Sequence, residues 1–508
     1  MEEESRMTTE QFSILGQCGR DYEAAESEAF HQDLNLLQVM DKLSAKWGRP
    51  VRKYFLFMPE TPEEEVFRRA VYADVKKDAV YDALISFTKN LGGAESLRKE
   101  KEKVTDPLQK AVWRIREEDA YCSTYEALEQ ALSAAEPASP GMQEFLRILR
   151  EILNGSEYLK MREESKSILQ EIRGLRFLIT YDRDRMSVSL GEVQGAGAYE
   201  EWISKIAGDE SAQLQNPFVA DVSVSELERA CFDVLRKKKP EFFRALSEIA
   251  SRGEREDTPV LRRFEEEILF YLSFCTLQRD MEKAGFVFTT PDTDENRRME
   301  AKGLYDLALA LTSLSDGRKV VPNDFRYDPG ERFFVLTGPN QGGKTTFARS
   351  LGQLVYLSKM GLDVPAESAN VPFFPGLQSH FSVEESVQSG RGKLMEELTR
   401  LAPMMKDRKS GTFVVINELF TTAANFDAQI MGKRVLKHFI GLSCMGIYVT
   451  HIKELADEQN GIVSLRATLD GKGVPTYKVE RGEAEDSACA ANQVNKYRLT
   501  YEQLKERL

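Results

Sequence analysis

The stretch Gly338-Pro339-Asn340-Gln341-Gly342-Gly343-Lys344-Thr345 decides the fold of this chain. It has the spacing GxxxxGK(S/T); an apolar run, Phe333–Thr337, precedes it, and a helical pattern follows from about Lys344. In such a strand–loop–helix turn the glycines let backbone N–H groups point at phosphates, and the helix N-terminus adds positive potential. Because motif and context agree, they predict a phosphate-binding loop (P-loop) rather than a chance glycine turn.

The residues of this loop have separate predicted roles. Lys344 is expected to reach the β- and γ-phosphates of ATP, and Thr345 is expected to place its hydroxyl on Mg²⁺. The other positions are expected to line the nucleotide: Gly338, Pro339, Asn340, Gln341, Gly342, Gly343 and Thr346. ATP and Mg²⁺ are therefore the predicted ligands.

A second apolar run, Thr412–Ile416, ends in Asn417 and Glu418. P-loop ATPases usually carry an Asp at the first of these positions, where it helps to hold Mg²⁺. The Asn417 carbonyl can still accept a hydrogen bond from metal-bound water, but it lacks the charge that attracts Mg²⁺. Glu418 is predicted to orient and deprotonate the attacking water. An Asn-Glu pair could merely begin a loop, yet its position downstream of the P-loop favours the functional interpretation.

A third apolar run, Met445–Thr450, ends at His451. In ABC-type ATPases a histidine at this point contacts the region of the γ-phosphate. A single histidine more often has a structural role, so the prediction of a catalytic His451 depends on the other two motifs.

The pattern of the chain changes near residue 320. Before it, long amphipathic helices are predicted, one starting at Thr61-Pro62 and stopping at Gly92-Gly93, another from about Val260 to Ala284. After it, short strands alternate with helices, which predicts a mainly parallel sheet. Within the helical part, Phe177–Thr180 and Met186–Leu190 predict a hairpin in a small, partly β insertion over 176–224.

Composition excludes several classes of protein. At 508 residues the chain is long enough for two or three domains. No apolar stretch is long enough to span a membrane, and the acidic N-terminus is unlike a secretory signal. A cytoplasmic location is therefore expected. The six cysteines are widely spaced, which predicts reduced thiols rather than disulfides or a zinc site. A net charge of −13 disfavours coating of nucleic acid by overall positive charge but leaves local candidates, Arg236–Lys239 and Arg183 or Arg185.

The motifs and their flanks together resemble the ATPase of the MutS family of DNA repair proteins, closely over roughly 320–490. The loop differs from the family version mainly at Gln341, where the family commonly has Met. Matching segments are Val321–Asp324, Val364–Glu367, Gly390-Arg391 with Met395 and Glu397, Asn417-Glu418 with Asp427, and Thr450-His451. Over 1–320 the resemblance is weaker: Asp33-Leu34, Pro62–Lys77 and Phe270–Leu272 resemble helical core and lever segments, and 176–224 lies where the family has a DNA-touching clamp.

Some departures from the family bear on mechanism. A Ser-Thr pair that contacts the partner subunit's nucleotide in the family is replaced here by Gly392-Lys393, and the loop after Glu418 lacks its usual Gly, Arg and Thr. We find no Phe-x-Glu reading motif and no room for the mismatch-reading and connector domains. Together with Asn417, these departures make ATP binding a firmer expectation than fast hydrolysis.

The resemblance implies an α/β P-loop (ABC-type) ATPase domain over 320–484, preceded by a mainly α-helical core and lever domain over 1–319. A C-terminal helical dimerisation segment is expected over 485–508, with Ser487, Ala491 and Tyr497. The implied function is that of a homodimeric, ATP-dependent clamp on mismatched, branched or distorted DNA in repair or recombination. The alternative is a nucleotide-gated dimeric scaffold with negligible hydrolysis. A transporter ATPase subunit is disfavoured because an LSGGQ-type signature is lacking.

Overall fold

The chain folds into two compact units. The first draws on residues 1–76, 139–141 and 263–508, and the second on residues 77–138 and 142–262. The predicted boundaries at 319/320 and 484/485 follow sequence resemblance and stay a prediction. The computed structural model describes residues 12–16, 20–22, 24, 26–47, 51–182, 185–191, 226–251, 258–293, 298–382, 392–407, 409–457, 461–483 and 505.

Helices dominate the chain before residue 284. In chain order the described elements are α1 (Ala29–Asp33), α2 (Leu36–Trp47), α3 (Arg52–Phe55), α4 (Pro62–Val75), α5 (Asp78–Lys103), α6 (Pro107–Ala135), α7 (Pro140–Leu153), α8 (Ser156–Gly174), β1 (Phe177–Asp182), β2 (Arg185–Leu190), α9 (Glu226–Lys238), α10 (Pro240–Ser251) and α11 (Pro259–Lys283). The helix predicted over 260–284 is thus confirmed as α11. None of the helices within the described ranges is long and apolar enough to cross a membrane.

The predicted hairpin in the second unit is confirmed. β1 and β2 pair antiparallel from Phe177 opposite Leu190 to Asp182 opposite Arg185. The hydroxyls of Thr180 and Ser187 lie 2.7 Å apart across the pair. The rest of the predicted insertion, from 192 to 224, lies outside the described residues.

The helix predicted to stop at Gly92-Gly93 takes a different course. The first segment, α4, begins at Pro62 as predicted, with the Thr61 hydroxyl accepting a hydrogen bond from the Glu64 N–H, but it ends at Val75. α5 then runs from Asp78 through both glycines to Lys103. Its buried face continues past them to Ala94, and α5 packs along α6, so tertiary packing outweighs the low helix propensity of glycine.

The chain after residue 298 alternates strands and helices. Its elements are β3 (Met299–Leu304), α12 (Leu307–Asp316), β4 (Asn323–Tyr327), β5 (Phe333–Thr337), α13 (Lys344–Lys359), β6 (Ser368–Asn370), β7 (Leu377–Phe381), α14 (Lys393–Lys406), β8 (Phe413–Asn417), α15 (Asn425–Gly441), β9 (Met445–Val449), a 3₁₀ turn (Lys453–Leu455), β10 (Ile462–Leu469) and β11 (Pro475–Arg481). The three strands predicted from apolar runs are confirmed as β5, β8 and β9, to within one residue at their ends.

Two sheets organise this part of the chain. The larger has the strand order β11-β10-β5-β9-β8-β7; only β11 is antiparallel to its neighbour, which confirms the mainly parallel prediction. β4, β3 and β6 form a smaller antiparallel sheet. β5, β8 and β9 are buried along their whole length, as expected for parallel strands covered on both faces. α14 and α15 contribute to one core cluster together with β8.

The course of α5 through its glycines gives a first prediction. A methyl group added at Gly92 would meet no atom within 4 Å, so Gly92→Ala should stabilise the second unit by about 0.5–1 kcal/mol by improving helix propensity. Gly92→Pro should destabilise it by about 3 kcal/mol or more, because proline breaks the helical hydrogen bonds. Urea unfolding followed by circular dichroism measures both. A tolerated proline together with a neutral alanine would mean that the helix ends at Gly92 after all.

Candidate nucleotide-binding site

The glycine loop (residues 338–343) connects the buried end of β5 to α13. Gly338 and Gly343 have φ values of +133° and +88°, which side-chain-bearing residues rarely adopt. A Cβ added at Gly338 would lie 3.0 Å from the Cβ of Ala467 and 3.1 Å from its backbone nitrogen. Glycine at 338 is therefore required both by backbone conformation and by the close approach of β10.

Lys344 is the first residue of α13 and is 4% exposed. Its Nζ donates hydrogen bonds to the carbonyl oxygens of Gly338 and Pro339, each at 2.9 Å. The ammonium group thus lies inside the curve of the glycine loop. An anionic group entering the loop would meet this positive charge together with the N-terminus of α13.

Thr345 and Asn417, the two residues predicted to hold Mg²⁺, are in contact. The Thr345 hydroxyl donates to Oδ1 of Asn417 at 3.1 Å, and Asn417, the last residue of β8, is 8% exposed. A hydroxyl and an amide carbonyl are oxygen ligands of the kind that Mg²⁺ accepts, but neither carries charge. Phosphate oxygens and water would have to complete the coordination, since the residues that the structure describes include no group of three or more acidic, His or Cys side chains that could hold a metal ion.

Glu418 and His451 also meet. Nε2 of His451 lies 3.2 Å from Oε1 of Glu418, and both side chains are partly exposed. The backbone of Glu418 is left-handed, with φ of +54°, and its N–H donates to the carbonyl of Val449 at 2.9 Å. The two residues predicted to act in catalysis are therefore neighbours at the ends of β8 and β9.

A cavity of about 560 Å³ opens over the glycine loop. Its lining includes the loop from Asn340 onward, Lys344, Thr345, Thr346 and Glu418. Apolar, aromatic and basic side chains also line it: Tyr305, Leu309, Arg318, Lys319, Val321 and Tyr477. The cavity thus combines polar groups suited to phosphates with apolar and aromatic surface.

Tyr477 was not found by sequence reasoning. It lies on β11 with φ of +61°, and its ring Cδ1 is 3.4 Å from where a Cβ of Gly343 would be. Asn323 holds this bend in β11: its amide Nδ2 donates to the Tyr477 carbonyl at 3.1 Å, and its Oδ1 accepts from the Val479 N–H at 2.9 Å. The sequence singled out Asn323 only as part of a matching flank, and β11 carries no motif.

Several residues that the sequence predicts to be functional do not line the cavity in the part of the chain that the structure describes. Gly390-Arg391 and the dimerisation residues Ser487, Ala491 and Tyr497 lie outside the described residues, as does the side chain of Lys393. Asp427 lies in the first turn of α15.

The basic run Arg236–Lys239 lies in the second unit, at the end of α9 and just beyond it. The guanidinium of Arg236 lies 4.8 Å from the centroid of the Phe243 ring, and Nζ of Lys239 lies 2.8 Å from Oε1 of Glu171. Lys237 and Lys238 are exposed. Arg183 is outside the described residues, and Arg185 begins β2. Half of the run therefore has partners within its own unit.

Part of the chain is similar to known DNA mismatch repair proteins. Residues 334–490 match the family model of MutS domain V. The chain is 30% identical to the DNA mismatch repair protein MSH6 of Arabidopsis thaliana over 38% of this chain and 15% of that protein. It is 26% identical to the DNA mismatch repair protein MutS of Lactococcus lactis over 41% of this chain and 25% of that protein. The alignments thus span a quarter or less of these relatives.

Proposed function

We propose that this chain, a member of the MutS family, is a Mg²⁺-dependent ATPase of the P-loop, ABC-type fold that acts on DNA in repair or recombination. The observation that best supports this proposal is that the glycine loop, Glu418 and Thr345, which is hydrogen-bonded to Asn417, line one cavity of about 560 Å³. These groups come from the ends of two strands, β5 and β8, that are distant in the sequence.

Each residue has a task in the proposed site. Lys344 turns from the carbonyls of Gly338 and Pro339 toward the β- and γ-phosphates, whose charge it neutralises. Thr345 and Asn417 would hold Mg²⁺, which when bound would neutralise charge on the phosphates. Glu418 orients and deprotonates the attacking water, and His451 holds the Glu418 carboxylate in place through its ring nitrogen. The half-exposed Tyr477, which also lines the cavity, would offer an aromatic face to the adenine ring.

The proposed ATPase works as a homodimer. α15 exposes Phe426, 70% accessible, and Ile430, 39% accessible, one helical turn apart, and α14 exposes Met395 and Leu398 in the same manner. Both helices pack their inner faces into the same core cluster beside β8. A second copy of this chain fits this apolar surface, because ABC-type sites are shared between two subunits.

The DNA in this proposal is gripped as a clamp, mainly through its phosphates, and is a branched or distorted duplex. Phosphate contacts need only local positive charge, so the net charge of −13 does not oppose them. In the second unit, the exposed Lys237 and Lys238 are the side chains of the basic run best suited to such contacts.

A second candidate is a nucleotide-gated dimeric scaffold with negligible hydrolysis. The neutral Asn417 favours it, since the site lacks the carboxylate that hard Mg²⁺ prefers. A steady-state ATPase assay with and without DNA, using Glu418→Gln as the inactive control, separates the two functions. Turnover no higher than that of the control would favour the scaffold.

Lys344→Ala should abolish high-affinity ATP binding, because it removes the buried ammonium group that faces the phosphates. Titration with a fluorescent ATP analogue measures the loss, and circular dichroism checks that the variant is folded. Affinity equal to that of the wild type in a folded variant would contradict the assignment of the glycine loop.

Asn417→Asp should raise the hydrolysis rate or lower the Mg²⁺ concentration needed for half-maximal activity. The added carboxylate keeps an oxygen that accepts the Thr345 hydroxyl and supplies the charge that Mg²⁺ favours. The rate is measured as a function of Mg²⁺ at saturating ATP. Lower turnover with unchanged Mg²⁺ dependence would exclude Asn417 from the metal site.

Replacing the Arg236–Lys239 run with Gln should weaken DNA binding equally for every sequence and reduce its salt dependence. Because Arg236 and Lys239 have partners of their own, the cleaner variant is Lys237→Gln with Lys238→Gln. Lys42→Gln with Lys89→Gln removes the same charge from two other exposed positions and serves as the control.

Affinity is measured over a salt series on duplex, mismatched, forked and four-way DNA. An unchanged salt slope would remove the run from the DNA surface, and no binding by the wild type at low salt would favour the scaffold.

A further inference from the structure

The turn that presents Glu418 has an unfavourable backbone conformation. Glu418 and Phe420 have φ values of +54° and +64°, and neither is glycine. A left-handed conformation costs a residue with a side chain about 1–2 kcal/mol, so two within three residues persist only if other contacts hold them. One such contact is the Glu418 N–H to the Val449 carbonyl, and another is the burial of Phe420, which is 2% exposed in the core beside β8.

A buried carboxylate supplies the contact at the far end of this turn. The N–H of Phe420 donates to Oε2 of Glu397 at 3.0 Å, and Glu397 is 2% exposed on α14. Burial raises the pKa of the nearby Tyr448 phenol, and the negative charge of Glu397 raises it further. Because this hydrogen bond is buried, loss of the Glu397 acceptor would leave the Phe420 N–H without the partner seen here, which is costly.

The helix that carries Glu397 is fixed from two sides. A ring nitrogen of His380 lies 3.2 Å from the Glu397 carbonyl oxygen, and burial lowers the pKa of this histidine, which favours the neutral ring. Nearly one helical turn further along α14, Arg400 donates to the carbonyl of Phe381 at 2.8 Å and to the carboxylate of Asp33. The carboxylate that meets Phe420 therefore belongs to a helix tied to the end of β7.

We propose that Glu397 is a positioning residue: its carboxylate holds the Phe420 N–H and thereby keeps the 418–420 turn in the conformation that aims Glu418 at the cavity. The inference rests on the proposed function, since it assigns a task to the turn that carries the catalytic base. Glu397 acts through the backbone of this turn rather than on the nucleotide.

Three variants on α14 test this role. Glu397→Met keeps the volume but removes the acceptor, Glu397→Gln keeps an acceptor oxygen, and Glu396→Ala removes a charge from the neighbouring position. Glu397→Met should lower kcat about tenfold to a hundredfold, the cost of a misplaced catalytic group. Its nucleotide affinity should stay within about twofold of the wild type, because ground-state binding is untouched. Glu397→Gln and Glu396→Ala should stay within about threefold in kcat.

Hydrogen exchange gives a second readout that does not depend on turnover. Amide exchange in the peptide containing Phe420 should become at least about tenfold faster in Glu397→Met and stay near wild type in Glu397→Gln, with β8 unaffected in both. If amide exchange at Phe420 is unchanged in Glu397→Met, the positioning role is wrong, whatever the rate of ATP hydrolysis is. The positioning role is also wrong if the wild type hydrolyses ATP and Glu397→Met has the same kcat. If the wild type has no turnover, the ATPase proposal fails, while the exchange result still decides the role of Glu397. Should Glu397→Met not fold, Glu397→Ala takes its place in the same two measurements.

Discussion

Backbone hydrogen bonds at the ends of three parallel strands fix the geometry of the whole site. Leu336 of β5 pairs with Val449 of β9, and Val449 pairs with Asn417 of β8. The ladder continues one step beyond the strands: the Thr450 N–H donates to the Leu336 carbonyl at 3.0 Å, and the Glu418 N–H donates to the Val449 carbonyl at 2.9 Å. Since parallel strands in register end at the same edge, the glycine loop, Glu418 and His451 have to meet there.

This register explains why the strands and several contacts at the candidate site could be predicted from sequence. Each strand is a short apolar run followed at once by polar residues, a pattern that is local and can be seen without knowing the fold. The hairpin of β1 and β2 and the long helix α11 were predicted for the same reason. Once the runs were assigned to one parallel sheet, the contacts of Thr345 with Asn417 and of Glu418 with His451 followed from topology.

What could not be predicted depends on contacts between distant segments. The passage of α5 through Gly92 is decided by packing on α6, and the local signal of two glycines points the other way. Tyr477 reaches the cavity through a bend in β11 that is held by Asn323, far away in the sequence. Glu397 was noted as part of a motif, but its contact with the Phe420 N–H requires a left-handed backbone at Phe420 that no propensity predicts.

Charge is distributed unevenly over the site, and this distribution separates binding from hydrolysis. The part of the cavity that would meet the phosphates has the Lys344 ammonium and a neutral Thr345–Asn417 pair, so phosphates would meet no repulsion from a carboxylate on β8. The same neutrality would leave Mg²⁺ with weaker protein ligands. Carboxyl groups are instead contributed by Glu418 and, behind its turn, by the buried Glu397. Under the proposed function, retention of nucleotide depends on the glycine loop, whereas the rate of hydrolysis depends on how firmly the 418–420 turn is held.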